Sequence, residues 1–159
     1  MADKANEQQM RARLIEVGKS WLGTPYRNTG CLKGAGTNCA MLMWAIAREA
    51  GAIPADTPEP RWYSPQLHAH SREERLISNV LGCGCHEIRE DQVQPGDVVA
   101  YLTGLSHGHL ALIVDWPHRV IQSSAPRGCQ YSHGKGGRVA GCRMKFFTLF
   151  PPLENGDHG

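Results

Sequence analysis

Cys39, where a glycine-rich stretch turns helical, and His109, which opens an apolar strand much later, are the residues best suited to joint chemistry. A helix start offers unsatisfied N–H groups and partial positive charge, both of which favour a thiolate. The thiolate is the nucleophilic form of cysteine, and a nearby imidazole can take its proton. Free cysteine is also among the most buried residue types, so a structural thiol is the plain alternative for Cys39. His109 follows the Gly104–Gly108 segment and leads His109-Leu-Ala-Leu-Ile-Val114. It is one of eight histidines, and His107 is a rival two residues away, expected to share its facing. An imidazole base needs a polar group to orient it, and Gln122 in Arg119-Val-Ile-Gln-Ser-Ser124 is the candidate. Residues opposite each other in an antiparallel pair share a face. Gln122 therefore lies on the His109 face only if the connection leaves an even number of residues unpaired, or if a bulge intervenes.

The elements that must position these groups have clear signatures. Met10, Leu14, Val17 and Trp21 recur at helical spacing and predict an amphipathic helix over 6–22. The stretch 23–38 holds Gly-Thr-Pro-Tyr26 and further glycines at 30, 34 and 36, and reads as loop. From Cys39 to Ala50 the period is helical again, with Met43, Ile46, Ala47 and Ala50 on one face. Thr37 or Asn38 is the N-cap, and Gly51 the stop. Four prolines make 52–70 an irregular excursion, suited to a specificity loop beside the site. Ser71-Arg-Glu-Glu74 has capping-box spacing ahead of a short helix ending at Gly82. Strands are expected at 97–102, 109–115, 119–124 and 144–150. Helices followed by strands indicate α+β, with N-terminal helices packed on one side of a C-terminal antiparallel sheet.

At 159 residues the chain suits one domain, 1–159, with a core over about 10–150 and a frayed tail at its end. Apolar residues at 41% and charged residues at 20% match an ordinary globular protein. A net charge of +2 spread over scattered arginines argues against nucleic acid as a partner. No apolar run reaches the length of a signal-peptide core or a membrane span. Synthesis ending in the cytoplasm is the expectation, with six irregularly spaced cysteines mostly reduced.

Trp21-Leu-Gly-Thr-Pro-Tyr26, Gly36-Thr-Asn-Cys39-Ala, Gln94-Pro-Gly-Asp97-Val-Val and His109-Leu-Ala-Leu-Ile-Val occur in an order and spacing that resembles the NlpC/P60 family. The long interval from Cys39 to His109 is most similar to its phage-tail-associated branch. The resemblance implies a papain-like α+β core and a cysteine endopeptidase acting on bacterial cell-wall stem peptides, at a D-glutamyl–diamino acid bond. It implies Cys39 as nucleophile, His109 as base, Gln122 as the third member, and Tyr26 and Asn38 as substrate-binding residues. It implies no metal and no other cofactor. Peptidoglycan stem peptide is the implied partner, reached in the periplasm or wall if a phage particle or secretion machine delivers the chain. Asn38-Cys39-Ala40-Met41 departs from the family's usual Asp-Cys-Ser-Gly, so a different or crosslinked peptide is compatible with the motif. An acyltransferase or amidase on a non-wall substrate is an alternative on the same fold. A zinc-binding or non-catalytic module is another, drawn from Cys83-Gly-Cys85-His86 with Cys129, His133 and Cys142.

Overall fold

The computed structural model describes residues 2–61, 64 and 66–151. The expected frayed tail lies outside the described residues, apart from Pro151. Helix α1 spans Ala2–Ser20 and stops at a turn in which Trp21 N–H donates to Gly18 O. It starts earlier than the apolar period suggests: Lys4 and Ala5 are good helix formers and stay exposed there. Two strands of two residues, β1 (Cys31–Leu32) and β2 (Gly36–Thr37), pair inside the predicted loop. Helix α2 is Cys39–Ala50, and Gly51 closes it with φ of 81°. Leu42, Ile46, Ala47 and Ala50 on its inner face are buried.

The proline-rich stretch carries only the short α3 (Leu67–His70), and α4 follows at Arg75–Gly82. The capping box expected at Ser71 does not form. Ser71 Oγ instead accepts from the Glu73 N–H, and the Glu74 carboxylate is drawn to His107. The remaining strands are β3 (His86–Ile88), β4 (Val98–Leu102), β5 (His107–Asp115), β6 (Arg119–Ser124), β7 (Gly128–Ser132) and β8 (Met144–Thr148). They form one antiparallel sheet in the order β3-β8-β4-β5-β6-β7. β3 and β7 were not expected from the sequence, being short and mixed in polarity.

The sheet is apolar on both faces. Leu110, Leu112 and Ile121 turn toward the helices, where they meet Trp21 from the turn after α1, Leu42 and Ile46 from α2, and Leu76, Ile77 and Val80 from α4. Val99, Tyr101, Ala111, Ile113, Val120 and Phe146 form a cluster on the opposite face. The helices thus cover one face, as expected. The Pro-Gly-Asp motif ties the layers together: Asp97, fully buried, accepts from Arg11 Nη1 at 2.8 Å and from the Gln94 N–H at 2.9 Å. Removing one member of such a buried pair leaves an uncompensated charge and costs about 3–5 kcal/mol. No helix among the described residues is long and apolar enough to cross a membrane.

Candidate active site

Asn38 is the N-cap of α2; its Oδ1 accepts the Met41 N–H at 2.8 Å, and its Nδ2 donates to Asn28 O at 2.9 Å. Both ends of the amide are thus engaged in holding the helix start and the preceding loop. Asn38 borders the cleft, but its side chain is occupied by structure. Cys39 is the first helical residue, and its thiol lies close enough to the His109 imidazole and to the Leu110 and Ala40 N–H groups for all three to favour its charged form.

The Leu110 donor comes from an opening in the sheet. β5 and β6 pair from Asp115↔Arg119 to Leu112↔Ile121, and the ladder stops there. Beyond that point the N–H of Leu110 reaches the Cys39 sulfur. The thiol therefore sits where two strands part, at the positive end of a helix.

A bulge decides which side chains share this place. The β5–β6 turn leaves 116–118 unpaired, an odd number, but the register shifts between Ile113 and Asp115. After that shift Ile113 pairs with Val120, so by alternation along each strand Gln122 and His109 lie on one face. His109 Nε2 and Gln122 Oε1 are 2.5 Å apart. With Nε2 as the donor to this amide oxygen, Nδ1 is left for Cys39. Tyr101 stacks on the His109 ring with centroids 5.8 Å apart, fixing its plane.

A second bulge removes the rival. Tyr101 pairs with His109 but Leu102 pairs with His107, so Gly108 is the extra residue. His107 is turned to the opposite face, against the expectation that the two would face alike. It is buried there with Nδ1 3.1 Å from the Glu74 carboxylate. Gly108 has no room for a side chain: a Cβ there would meet Thr103 Oγ1 at 2.4 Å and the His68 ring at 2.6 Å.

Burial is the largest influence on Cys39 and pushes its thiol up, but the hydrogen bonds and charge of His109, with the Leu110 and Ala40 N–H groups, together bring it below the ordinary 9.0. Burial likewise disfavours charge on His109, yet Cys39 and Gln122 raise it above 6.5 against the opposing charge of Arg138. The pair therefore favours thiolate and imidazolium, and its titration belongs to both groups together. Tyr26 is raised by burial and then by the neighbouring Cys39.

Two clefts meet at Cys39, Tyr26 and Gly108. One, of about 350 Å³, runs toward Asn28, Cys31, Glu59 and Arg61. The other, of about 400 Å³, runs past His109 and Gln122 to His68, Ser124 and Arg138. Glu59 and Arg61 in one cleft and His68 in the other all come from the proline-rich stretch, which flanks both. His68 and Arg138 escaped the sequence reading because neither sits in a periodic element. The Cys83, Cys85, Cys129, His133 and Cys142 grouping does not assemble: among the described residues no three His, Cys, Asp or Glu side chains are placed to hold one metal ion.

Helices laid on one face of a six-stranded antiparallel sheet, with a cysteine at a helix start against a histidine on the central strands, define an α+β protein of papain-like architecture. The particular version of that architecture is the NlpC/P60 fold, as solved structures show. An NlpC/P60 family protein from Bacillus cereus superposes with a TM-score of 0.56 at 22% identity over 85% of this chain, which spans 39% of that protein. The P60 domain of an antigen from M. avium paratuberculosis gives 0.57 at 18% identity, covering 92% of this chain and 97% of that domain. The peptidoglycan hydrolase RipB from Mycobacterium tuberculosis gives 0.56 at 19% identity, covering 92% of this chain and 68% of that one. No protein-family model and no curated protein sequence matches the chain.

Proposed function

We propose that the chain is a cysteine peptidase that hydrolyses an amide bond in bacterial cell-wall stem peptides, at the D-glutamyl–diamino acid linkage. The observation that carries this reading is the contact of the Cys39 sulfur with His109 at the start of α2, with Gln122 holding the far side of the ring. Similarity in fold to a peptidoglycan hydrolase supports the substrate class. His109 holds the proton of Cys39, whose thiolate attacks the carbonyl carbon. Negative charge then develops on the carbonyl oxygen beside the first N–H groups of α2, and the Tyr26 hydroxyl donates from the cleft wall. The imidazolium returns its proton to the leaving amine, and water activated by His109 hydrolyses the thioester.

Digestion of mass-defined muropeptides by the protein and by its Cys39→Ala variant tests this reading. The expected result is a single new amine and acid pair, identified by mass spectrometry and absent with the variant. Intact muropeptides after prolonged incubation with the unmodified protein would overturn the substrate assignment.

A further inference from the structure

The two clefts that meet at Cys39 differ in charge. The first holds Glu59 and Arg61 together. The second holds Arg138 and two histidines, and no carboxylate of the described residues lines it. Arg138 sits on a single 3-10 turn, Gly137–Val139, that the buried Val139 pins to the sheet. One guanidinium nitrogen, Nη1, donates to Ala125 O at 2.9 Å; the side chain is exposed and forms no ion pair among the described residues. It is close enough to disfavour charge on His109. With Cys39 as thiolate and His109 as imidazolium offsetting each other, Arg138 supplies this cleft with a fixed positive charge that no carboxylate of its lining offsets.

Which half of a substrate enters this cleft follows from the chemistry of the pair. The group that protonates the leaving amine must lie beside it, so the leaving half extends past His109. Building on the peptidase reading above, we propose that Arg138 binds a carboxylate of the residue whose amine is released. A planar guanidinium held at one nitrogen keeps its remaining donors for a carboxylate. The site thereby selects peptides with a free acid on the leaving side, such as a diamino acid whose carboxylate is unamidated, over those in which that acid is a carboxamide.

The test compares a matched pair of stem peptides, one with the leaving-side carboxylate free and one with it amidated, using the full chain. The unmodified protein should prefer the acid by about two- to fivefold in kcat/KM, the upper range of a solvent-exposed ion pair. Arg138→Gln should raise KM for the acid and erase the preference, so that the two peptides are cleaved alike, and Arg138→Lys should restore part of it. Equal cleavage of both peptides by the unmodified protein, or an equal loss for both with Arg138→Gln, would overturn the proposal. If neither peptide is cleaved, the peptidase reading fails on its own account. Calorimetric binding to Cys39→Ala then decides the present proposal: tighter binding of the acid, lost with Arg138→Gln, supports it, and equal or absent binding overturns it.

Discussion

Cys39 and Cys85 border the same apolar cluster around Leu76, Ala100 and Leu110, yet their thiols are set in opposite directions. Burial, then the neighbouring Cys83 and Asp97, push Cys85 up to about 12. Cys39 is desolvated too, but it faces an imidazole and two N–H donors, which bring it below its ordinary value. The lesson is that burial beside a sheet makes a thiol inert, and that a helix start, a parted ladder and a histidine reverse the outcome. A half-buried Cys31 in the first cleft supplies a second contrast, since burial raises it despite a hydrogen bond from Thr37.

The largest effect expected from breaking this comparison is at Cys39 itself. Cys39→Ala should reduce muropeptide cleavage by roughly 10⁴-fold or more, as loss of a nucleophile does, measured by product formation under single-turnover conditions. His109→Ala should make Cys39 behave more like Cys85, with cleavage falling about 10²- to 10⁴-fold. Its alkylation at neutral pH should slow in parallel and recover as the pH is raised. Gln122→Ala keeps the base but frees its ring, and a loss of about tenfold to a hundredfold in kcat is expected, with KM little changed.

The pH profile sharpens the contrast. Cys39 thiolate forms below 9.0 and His109 holds its proton above 6.5, so cleavage should rise through the lowered thiol value and fall through the raised imidazolium value. Alkylation of Cys85 should begin only in strong alkali, near its value of about 12. The smallest effect concerns the helix start: Asn38→Ala removes the cap on Met41 N–H and should lower stability by about 1 kcal/mol, read by chemical denaturation.

Much of the site was legible because its signals are local. A glycine-rich stretch before an apolar helix marks Cys39, and a histidine ahead of an unbroken apolar strand marks His109. Helices α1, α2 and α4, and four of the six strands of the main sheet, carry clear periods. Gln122 was legible only as a condition, since nothing in Trp116-Pro-His118 reveals a register shift before Asp115. The opposite facing of His107 depends on a bulge at Gly108, a position that packing against Thr103 and His68 dictates and local sequence does not. The failed capping box has the same origin, because Glu74 is engaged by a histidine distant in the chain. β3 and β7 gain their pairing from neighbours rather than from propensity, and Arg138 stands on a turn with no pattern to announce it.

The most direct test of the central claim follows cleavage while the protein is titrated with less than stoichiometric iodoacetamide near neutral pH, each of the six cysteines being mapped by mass spectrometry. Modification should fall first on Cys39, and activity should decline in proportion to that one label while Cys83 and Cys85 remain free. Cleavage that survives complete alkylation of Cys39, or that is lost in step with another cysteine, would contradict the account.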